Sequence, residues 1–244
     1  MDDLGKSFGW QYWQKTAYSS TGLGSLPEIS IAPGEKFKTY PEAERIELPD
    51  PALANAPYDL WQTIKERRSH RRFSGEETME LSVLSKLLWA AQGVTRSRID
   101  IPLRTAPSAG ALYPIETYAV SSRVNGLSPG IYHFNIQDFC LEKAGDFPPN
   151  TDLSGIAMGQ RFCSRAPLSI VFTAVFRRNM QKYGHRGLRY ILLDTGHICQ
   201  NLLLAATALG LKSCPVAAFF DDPLNDLLGI DGREESSLYL TAIG

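Results

Sequence analysis

From Leu188 onward the apolar residues Leu188, Ile191, Leu192, Ile198, Cys199, Leu202, Leu203, Ala206 and Leu209 recur at three- and four-residue steps, the spacing of one helical face. Leu193, Leu204, Ala205 and Ala208 carry the apolar character to the other faces. A helix of this kind belongs inside a large core or against a partner subunit. Gly210 stands where its C-cap is expected. Just before the apolar run the character switches: Lys182, Tyr183, His185, Arg186, Arg189 and Tyr190 make one end of the rod cationic and aromatic. A polar end on a buried helix points to a site there.

Shorter patterns surround this spine. Residues 81–92 have helical periodicity, with Ser82 as a candidate cap and Gly93 as a stop, and 59–67 read as a short helix with Asp59 near its start. Strands are expected over 115–120, 238–243 and 168–176, the last apolar enough to lie centrally, and residues 131–136 and 139–142 read as a hairpin. Residues 223–228 form a last short helix. Between 19 and 57 neither period persists, and Pro27, Pro33, Pro41, Pro49, Pro51 and Pro57 follow one another closely, so an extended arm laid over the rest is expected. The expected division is an arm over 1–57 and one domain over 58–244. Helices and strands mix without regular βαβ alternation, which predicts an α+β fold and not a doubly wound sheet.

Composition narrows the function classes. With 244 residues, 43% hydrophobic and 10% aromatic, the chain can bury a sizeable core. A net charge of -1 gives no bulk electrostatic reason to expect a nucleic acid or an acidic membrane as partner, so any anion site must be local. Cys140, Cys163, Cys199 and Cys214 form no C-x-x-C pair and no metal-type spacing with the histidines. No metal is expected, and the thiols read as reduced and buried in a cytoplasmic protein. The start MDDLGKSFGWQYW has no secretory pattern, and no stretch is long and apolar enough to span a bilayer. TGLGSLP at 21–27 falls short of G-x-G-x-x-G, because Pro27 replaces the last glycine and neither strand nor helix flanks it.

The candidate chemistry lies in four places. Arg67, Arg68, Ser69, Arg71 and Arg72 concentrate guanidinium forks and a hydroxyl, a composition that grips phosphate or else forms a solvated basic turn. Pro107, Ser108, Ala109, Gly110 and Ala111 are small enough to let a flat ligand approach the backbone, as an ordinary loop also would. Lys182 and Tyr183 set a cation beside a phenol, which could supply a charge and a proton or only a surface ion pair and a packing ring. His197, three residues after Asp194, reads as a satisfied core histidine, since no nucleophile is tied to it. Pro215, Val216, Ala217 and Ala218 read alone as a plain buried strand.

Together these stretches resemble the FMN-dependent nitroreductase superfamily, and within it the SagB-type dehydrogenases. The resemblance is carried in order by RRSHRRF, LWAAQGVT, RTAPSAGALYPIE, PGIYHF, KYGHRGLRY, LDTGHICQNLLLAATALGL and the LGI and LYLTAIG blocks. YWQKTAY near the start is similar to the opening of the SagB-type pattern, with Trp13 where that pattern usually has histidine. The resemblance implies a mainly antiparallel sheet flanked by helices, with the long helix at a homodimer interface, and two FMN molecules each held by both chains. It implies that Arg67, Arg68, Ser69 and Arg71 hold the FMN phosphate and ribityl chain and that Pro107 to Ala111 line the flavin ring from the other subunit. Pro215, Val216, Ala217 and Ala218 would run beside the reactive N5 edge, and Gln160 would touch the ring. It implies catalysis by Lys182 and Tyr183, with Arg186 and Arg189 as neighbours of the lysine. The family usually continues past its terminal Ile-Gly to a basic residue near the phosphate, a place Arg72 is expected to fill. The implied reaction is ping-pong hydride transfer, either from a peptide azoline to give an azole or in an NAD(P)H-dependent reduction of nitroaromatics or quinones. A non-catalytic flavin-binding protein is the alternative.

Overall fold

The structure is a computed structural model that describes residues 3–18, 20, 26–51, 59–98, 101–148 and 151–244. The expected boundary at 57/58 and all but the last two residues of TGLGSLP lie outside the described residues. Helix α1 (Phe8–Lys15) begins at Ser7, whose hydroxyl accepts the Trp10 N–H. Residues 26–44 hold no helix or strand, bend at 36–37 and 41–43, and lead to strand β1 (Arg45–Glu47). Helix α2 (Leu60–Glu66) starts at Asp59, whose carboxylate caps the Gln62 N–H at 2.8 Å. Strand β2 (Met79–Glu80) leads into α3 (Leu81–Gln92), which ends at Gly93. Ser82 lies inside α3, and Glu80 takes the N-cap position without a side-chain bond.

A hairpin of β3 (Val94–Arg98) and β4 (Ile101–Arg104) comes next, then β5 (Ile115–Ser121), β6 (Val124–Asn125), β7 (Gly130–Asn135) and β8 (Cys140–Asp146). Two single-turn helices, α4 (Leu153–Ile156) and α5 (Phe162–Arg165), precede β9 (Leu168–Val175). Where the sequence pattern carries the strand through Phe176, the chain turns directly into α6 (Phe176–Tyr183). Phe176, Met180 and Tyr183 of its FRRNMQKY stand at the i, i+4, i+7 spacing of one helical face, a short period that follows the strand without a break signal. A 3-10 turn separates it from α7 (Gly187–Ala208), and β10 (Ser213–Val216), α8 (Asp221–Leu228) and β11 (Glu235–Ile243) complete the chain.

The large sheet runs β1-β8-β7-β5-β9-β11-β10 with every pairing antiparallel. The apolar strand β9 is therefore central, as its pattern predicts. Alternation sorts its side chains: Leu168, Ile170, Phe172 and Ala174 join the core shared with α3 and α7, while Val171 joins the opposite core with α4, α5 and α8. Helix α7 buries Ile191, Asp194, Thr195, Ile198, Cys199, Leu202, Leu203 and Ala206, the face that periodicity marks out except at Leu192, which the spacing assigns to that face and the structure exposes. Its opposite face is open, with Leu192 and Leu193 more than half exposed at 53% and 58%. His197 is on that exposed face, so it is not a core histidine; it lies two residues from the buried step at Thr195. The helix closes as a Schellman motif, with Gly210 N–H on Thr207 O at 2.9 Å and Leu211 N–H on Ala206 O at 2.8 Å.

A buried polar chain fastens the arm to the sheet. Lys38 Nζ donates to Glu235 Oε2 at 2.5 Å and Tyr118 Oη at 2.6 Å, and Tyr40 N–H donates to Glu142 Oε2 at 3.0 Å. His133, opposite Tyr118 in the β5–β7 register, sits between Glu142 and Glu116 at 3.1 and 2.8 Å. Glu116 also accepts Arg178 Nη1 at 2.5 Å. Burial works against a charge on Glu116, but Arg178, His133 and Arg104 outweigh it and hold the carboxyl at about 2. A carboxyl depressed on folding contributes stability that is complete above its unfolded value of about 4.3 and is lost as pH falls toward 2. Glu116→Gln, which leaves Arg178 without its counter-charge, should cost about 3–5 kcal/mol near neutral pH. Urea titrations of both proteins should show that gap narrowing from pH ~4.3 downward; a gap constant with pH would mean that Glu116 is not ionised in the folded state.

Candidate active site

The turn at Pro107 to Ala111 is fixed by α7. Ser108 Oγ donates to Asp194 Oδ2 at 2.5 Å, the Ala109 N–H reaches Asp194 Oδ1 at 3.4 Å, and Ser108 Oγ accepts the Tyr113 N–H at 3.0 Å. Burial pushes the Asp194 carboxyl up, opposed by these bonds from Ser108 and Ala109 and by His197. Sequence reading paired Asp194 with His197; its bonded partners are 85 and 86 residues away, which no local spacing reveals. Gly110 (φ 66°), Ala111 (φ 54°) and Tyr113 (φ 45°) all have positive φ, so the turn is tight and strained at its non-glycine members.

That turn packs on Lys182 and Tyr183 of the same chain. A Cβ on Gly110 would stand 2.7 Å from Tyr183 Oη and 3.1 Å from Lys182 Nζ, so only glycine allows the approach. The Tyr183 ring meets Tyr190 edge-on at 4.9 Å, and Lys182 Nζ is 5.4 Å from the Tyr183 ring centre. The pair reaches this place because α6 folds back on α7 at Gly187, where a Cβ would meet Asn179 Oδ1 and Met180 Cα at 3.0 Å. A cleft of about 230 Å³ opens here, walled by Lys182, Tyr183 and His185 on one side and Lys15, Thr16 and Pro27 of the arm on the other.

Arg186 and Arg189 turn toward the arm. Arg186 donates to Thr16 O at 2.6 Å and to Tyr190 Oη at 2.8 Å and lies 4.1 Å from the Tyr18 ring centre. Arg189 donates to Thr16 Oγ1 at 2.8 Å and to the Trp13 carbonyl, with its guanidinium 3.6 Å from the Trp13 ring centre. The two arginines expected as neighbours of Lys182 thus hold α1 against the start of α7, and Trp13 has a packing role in that contact.

The arginine segment forms a second group. Past α2 the chain runs beside the start of β10, where Ser69 bridges Ser213 and the His70 N–H donates to Ser213 O at 2.9 Å. Arg68, Ser69, Arg71 and Arg72 are exposed and Arg67 half-buried. Arg68 Nη1 bonds only to the carbonyls of Lys65 and Arg67, at 2.7 and 2.8 Å, and no ion pair to a carboxylate forms at any of the four arginines among the described residues. Pro215 continues from Ser213 half-buried, Val216 enters the core, and Ala217 and Ala218 emerge exposed. Gln160 Nε2 holds the Ala218 carbonyl at 3.0 Å, which brings Gln160 to the same place.

The two groups stand at opposite ends of α7. Asp194 is in its second turn, while Ser213 follows its C-terminus at Ala208. At 1.5 Å per residue those 14 steps are about 21 Å. Within one chain the arginines and the Lys182–Tyr183 pair do not meet. Among the described residues no cluster of three or more His, Cys, Asp or Glu could hold a metal ion, and no helix is long and apolar enough to cross a membrane.

With this geometry in hand, comparison with known proteins is specific. The sequence profile of the Nitroreductase family matches residues 64–244. A protein of Methanocaldococcus jannaschii that bears the name nitroreductase is 33% identical over 204 residues, 84% of this chain and 93% of its own. The microcin B17-processing protein McbC of Escherichia coli is 28% identical over 146 residues, 58% of this chain and 54% of its own. Among solved structures, a nitroreductase from Ralstonia eutropha superposes with a TM-score of 0.68 at 28% identity, covering 91% of this chain and 94% of that one. The E. coli microcin synthetase McbBCD complex superposes at 0.60 and 24% identity, covering 75% and 71%.

The Gly110 contact is open to test. Gly110→Ala brings a methyl to 2.7 Å from Tyr183 Oη and 3.1 Å from Lys182 Nζ, side-chain ends that must shift, and adds the cost of a left-handed conformation, about 1–2 kcal/mol. Denaturant titration should show at least that loss, and a loss near zero would mean that Gly110 is not held at positive φ.

Proposed function

The chain belongs to the nitroreductase family, and from that premise we propose that it is an FMN-dependent, SagB-type dehydrogenase that oxidises azoline rings in peptides to azoles. The observation that carries the reading is the Gly110 contact, which sets an amine and a phenol against an exposed small-residue turn. The names of McbC and of the trifolitoxin operon protein TfxC, 25% identical over 236 residues, support a peptide substrate.

The residues present suit FMN. Exposed guanidinium forks without carboxylate partners match a terminal phosphate, and the backbone of Ala217 and Ala218 is open beside them. When bound, FMN supplies the hydride acceptor at N5 in a ping-pong cycle. The protein supplies the rest. Arg67, Arg68, Ser69 and Arg71 hold the phosphate, with Arg72 in reserve. Pro215 to Ala218, braced by Gln160, border the ring edge. A homodimer brings the Pro107 to Ala111 turn of the other subunit over the ring, because each chain carries the two groups at opposite ends of α7. The exposed Leu192 and Leu193 of α7 and Leu60, Trp61 and Ile64 of α2 give such a dimer an apolar surface to bury.

Conversion of an azoline to an azole removes two hydrogens, one as hydride and one as a proton. Lys182 Nζ takes the proton from the carbon next to the one that loses hydride, and Tyr183 Oη polarises the ring or relays that proton. The unpaired thiols suit a cytoplasmic setting. The name of the M. jannaschii relative favours a second reading, NAD(P)H-dependent reduction of nitroaromatics or quinones. A protein that only stored flavin would have no use for the Lys182–Tyr183 pair.

Two measurements test the reading. Arg67→Ala or Arg71→Ala each removes a charge-assisted bond of roughly 1.5–3 kcal/mol and should weaken FMN binding about tenfold or more in fluorescence titration; full affinity in both removes the phosphate site. Lys182→Ala and Tyr183→Phe should keep flavin yet slow its bleaching by a thiazoline peptide ~10² to 10⁴-fold in stopped flow. Wild-type rates in both would take the pair out of the mechanism.

A further inference from the structure

On the other side of Gly110 from the cleft lies a second cavity, of about 270 Å³, lined by Pro33 and Phe37 of the arm, Pro102 and Arg104 of β4, Tyr113 and Arg178, with Lys36 at the arm. Arg104 is 7% exposed. Its guanidinium lies 4.3 Å from the Tyr113 ring centre and 5.9 Å from that of Phe37. Among the described residues it makes one hydrogen bond, from Nη1 to Gln92 Oε1 at 2.8 Å, and its buried Nε has no partner. The carboxylate that acts on it is Glu116, and that group is already bonded to Arg178 and His133. Arg178 is otherwise held by the Glu35 and Tyr113 carbonyls. Two buried guanidinium groups thus share one carboxylate at the wall of a cavity whose other polar side chains are Lys36 and Gln181 and whose remaining lining is apolar or glycine.

A buried charge without a full complement of partners is costly, and a buried donor left unbonded calls for a missing partner. An anion in the cavity would supply the missing counter-charge; the Nε itself is sealed from the cavity and is not the contact proposed. The rest of the lining limits which anion: prolines and two aromatic rings suit an apolar body and offer little to a compact, strongly hydrated ion such as phosphate. A cavity of ~150 Å³ accommodates a benzene ring, so this one has room for a ring and a carboxylate.

We propose that this cavity is a binding site for the carboxylate of a small apolar or aromatic acid, its body between Phe37 and Tyr113 and its oxygens toward Arg104. The cavity borders the turn assigned above to the flavin ring, sharing Gly110 and Ala111 with it. The test therefore relies on Arg104 and Phe37, which that reading does not use, and occupancy is measured by binding and not by turnover. The acid is either free or the carboxyl end of a peptide.

Calorimetry of the protein as purified, with benzoate and with its neutral isostere benzamide, tests this. Benzoate should bind, benzamide should bind about tenfold more weakly or not at all, and inorganic phosphate should not displace benzoate. N-acetylphenylalanine, a surrogate for a peptide end, binding more tightly than benzoate would assign the site to peptides, and the reverse to free acids. Arg104→Met should weaken benzoate about tenfold or more. Phe37→Ala trims a half-buried arm residue outside the ion pairs and should weaken benzoate severalfold, so the test stands even if the first variant does not fold. No benzoate binding at millimolar concentration, equal binding of benzamide, or unchanged affinity in Phe37→Ala would each overturn the proposal.

Discussion

The bond between Asp194 and Ser108 is the constraint on which the arrangement rests. It takes a carboxylate from the buried face of α7 and uses it to hold a strained, small-residue turn 86 positions away. Because the carboxylate accepts from a hydroxyl and a backbone N–H together, the turn is fixed in position and in rotation. Gly110 then meets Tyr183 and Lys182 at contact distance. Without this clamp α6 would pack against a loop of no set shape, and an amine and a phenol near a flexible loop have no defined chemistry. A helix that contributes Ile191, Ile198, Cys199, Leu202, Leu203 and Ala206 to the core also sets the position of its site.

The buried polar chain through Glu116 serves the other end of the same task. By pairing Glu116 with Arg178 it fixes the start of α6 against β5, and by linking His133 to Glu142 and Tyr40 it ties the arm to the sheet. The arm in turn covers the start of α7 through Thr16 and Trp13. Arm, sheet and helix are thus one connected unit around the cleft, and the arm is a wall of that cleft instead of a tether.

Much of the fold could be read from periodicity. The bounds of α3, the buried face of α7, the central place of β9 and the β7–β8 hairpin follow from spacing and from Gly93 and Gly210. What escaped has physical reasons. α6 is two turns long and follows β9 with no glycine or proline between them, β1 is three residues long, and β3 and β4 come together only as a hairpin. The exposed side of α7 is as apolar as its buried side at Leu192 and Leu193, so pattern alone left His197 in the core. The candidate residues stood out in the sequence as blocks, and the structure brings Gln160 to Ala218 and Gly110 to Lys182. The partners of Asp194, the capture of Arg186 and Arg189 by the arm and the unmatched charge of Arg104 depend on contacts between distant segments, which sequence spacing does not encode.

The central claim is that the arginine group and the Lys182–Tyr183 group, set at opposite ends of α7, act together across two chains. Mixed dimers test it most directly. Chains carrying Arg71→Ala and chains carrying Lys182→Ala are co-expressed with different tags, and the doubly tagged hybrid is isolated and assayed for flavin bleaching by a thiazoline peptide at an FMN concentration that leaves the Arg71→Ala homodimer empty and inactive. If each site draws its arginines from one chain and its lysine from the other, one of the hybrid's two sites is intact and activity returns. If both groups act within one chain, the hybrid forms and stays inactive, and the account is contradicted.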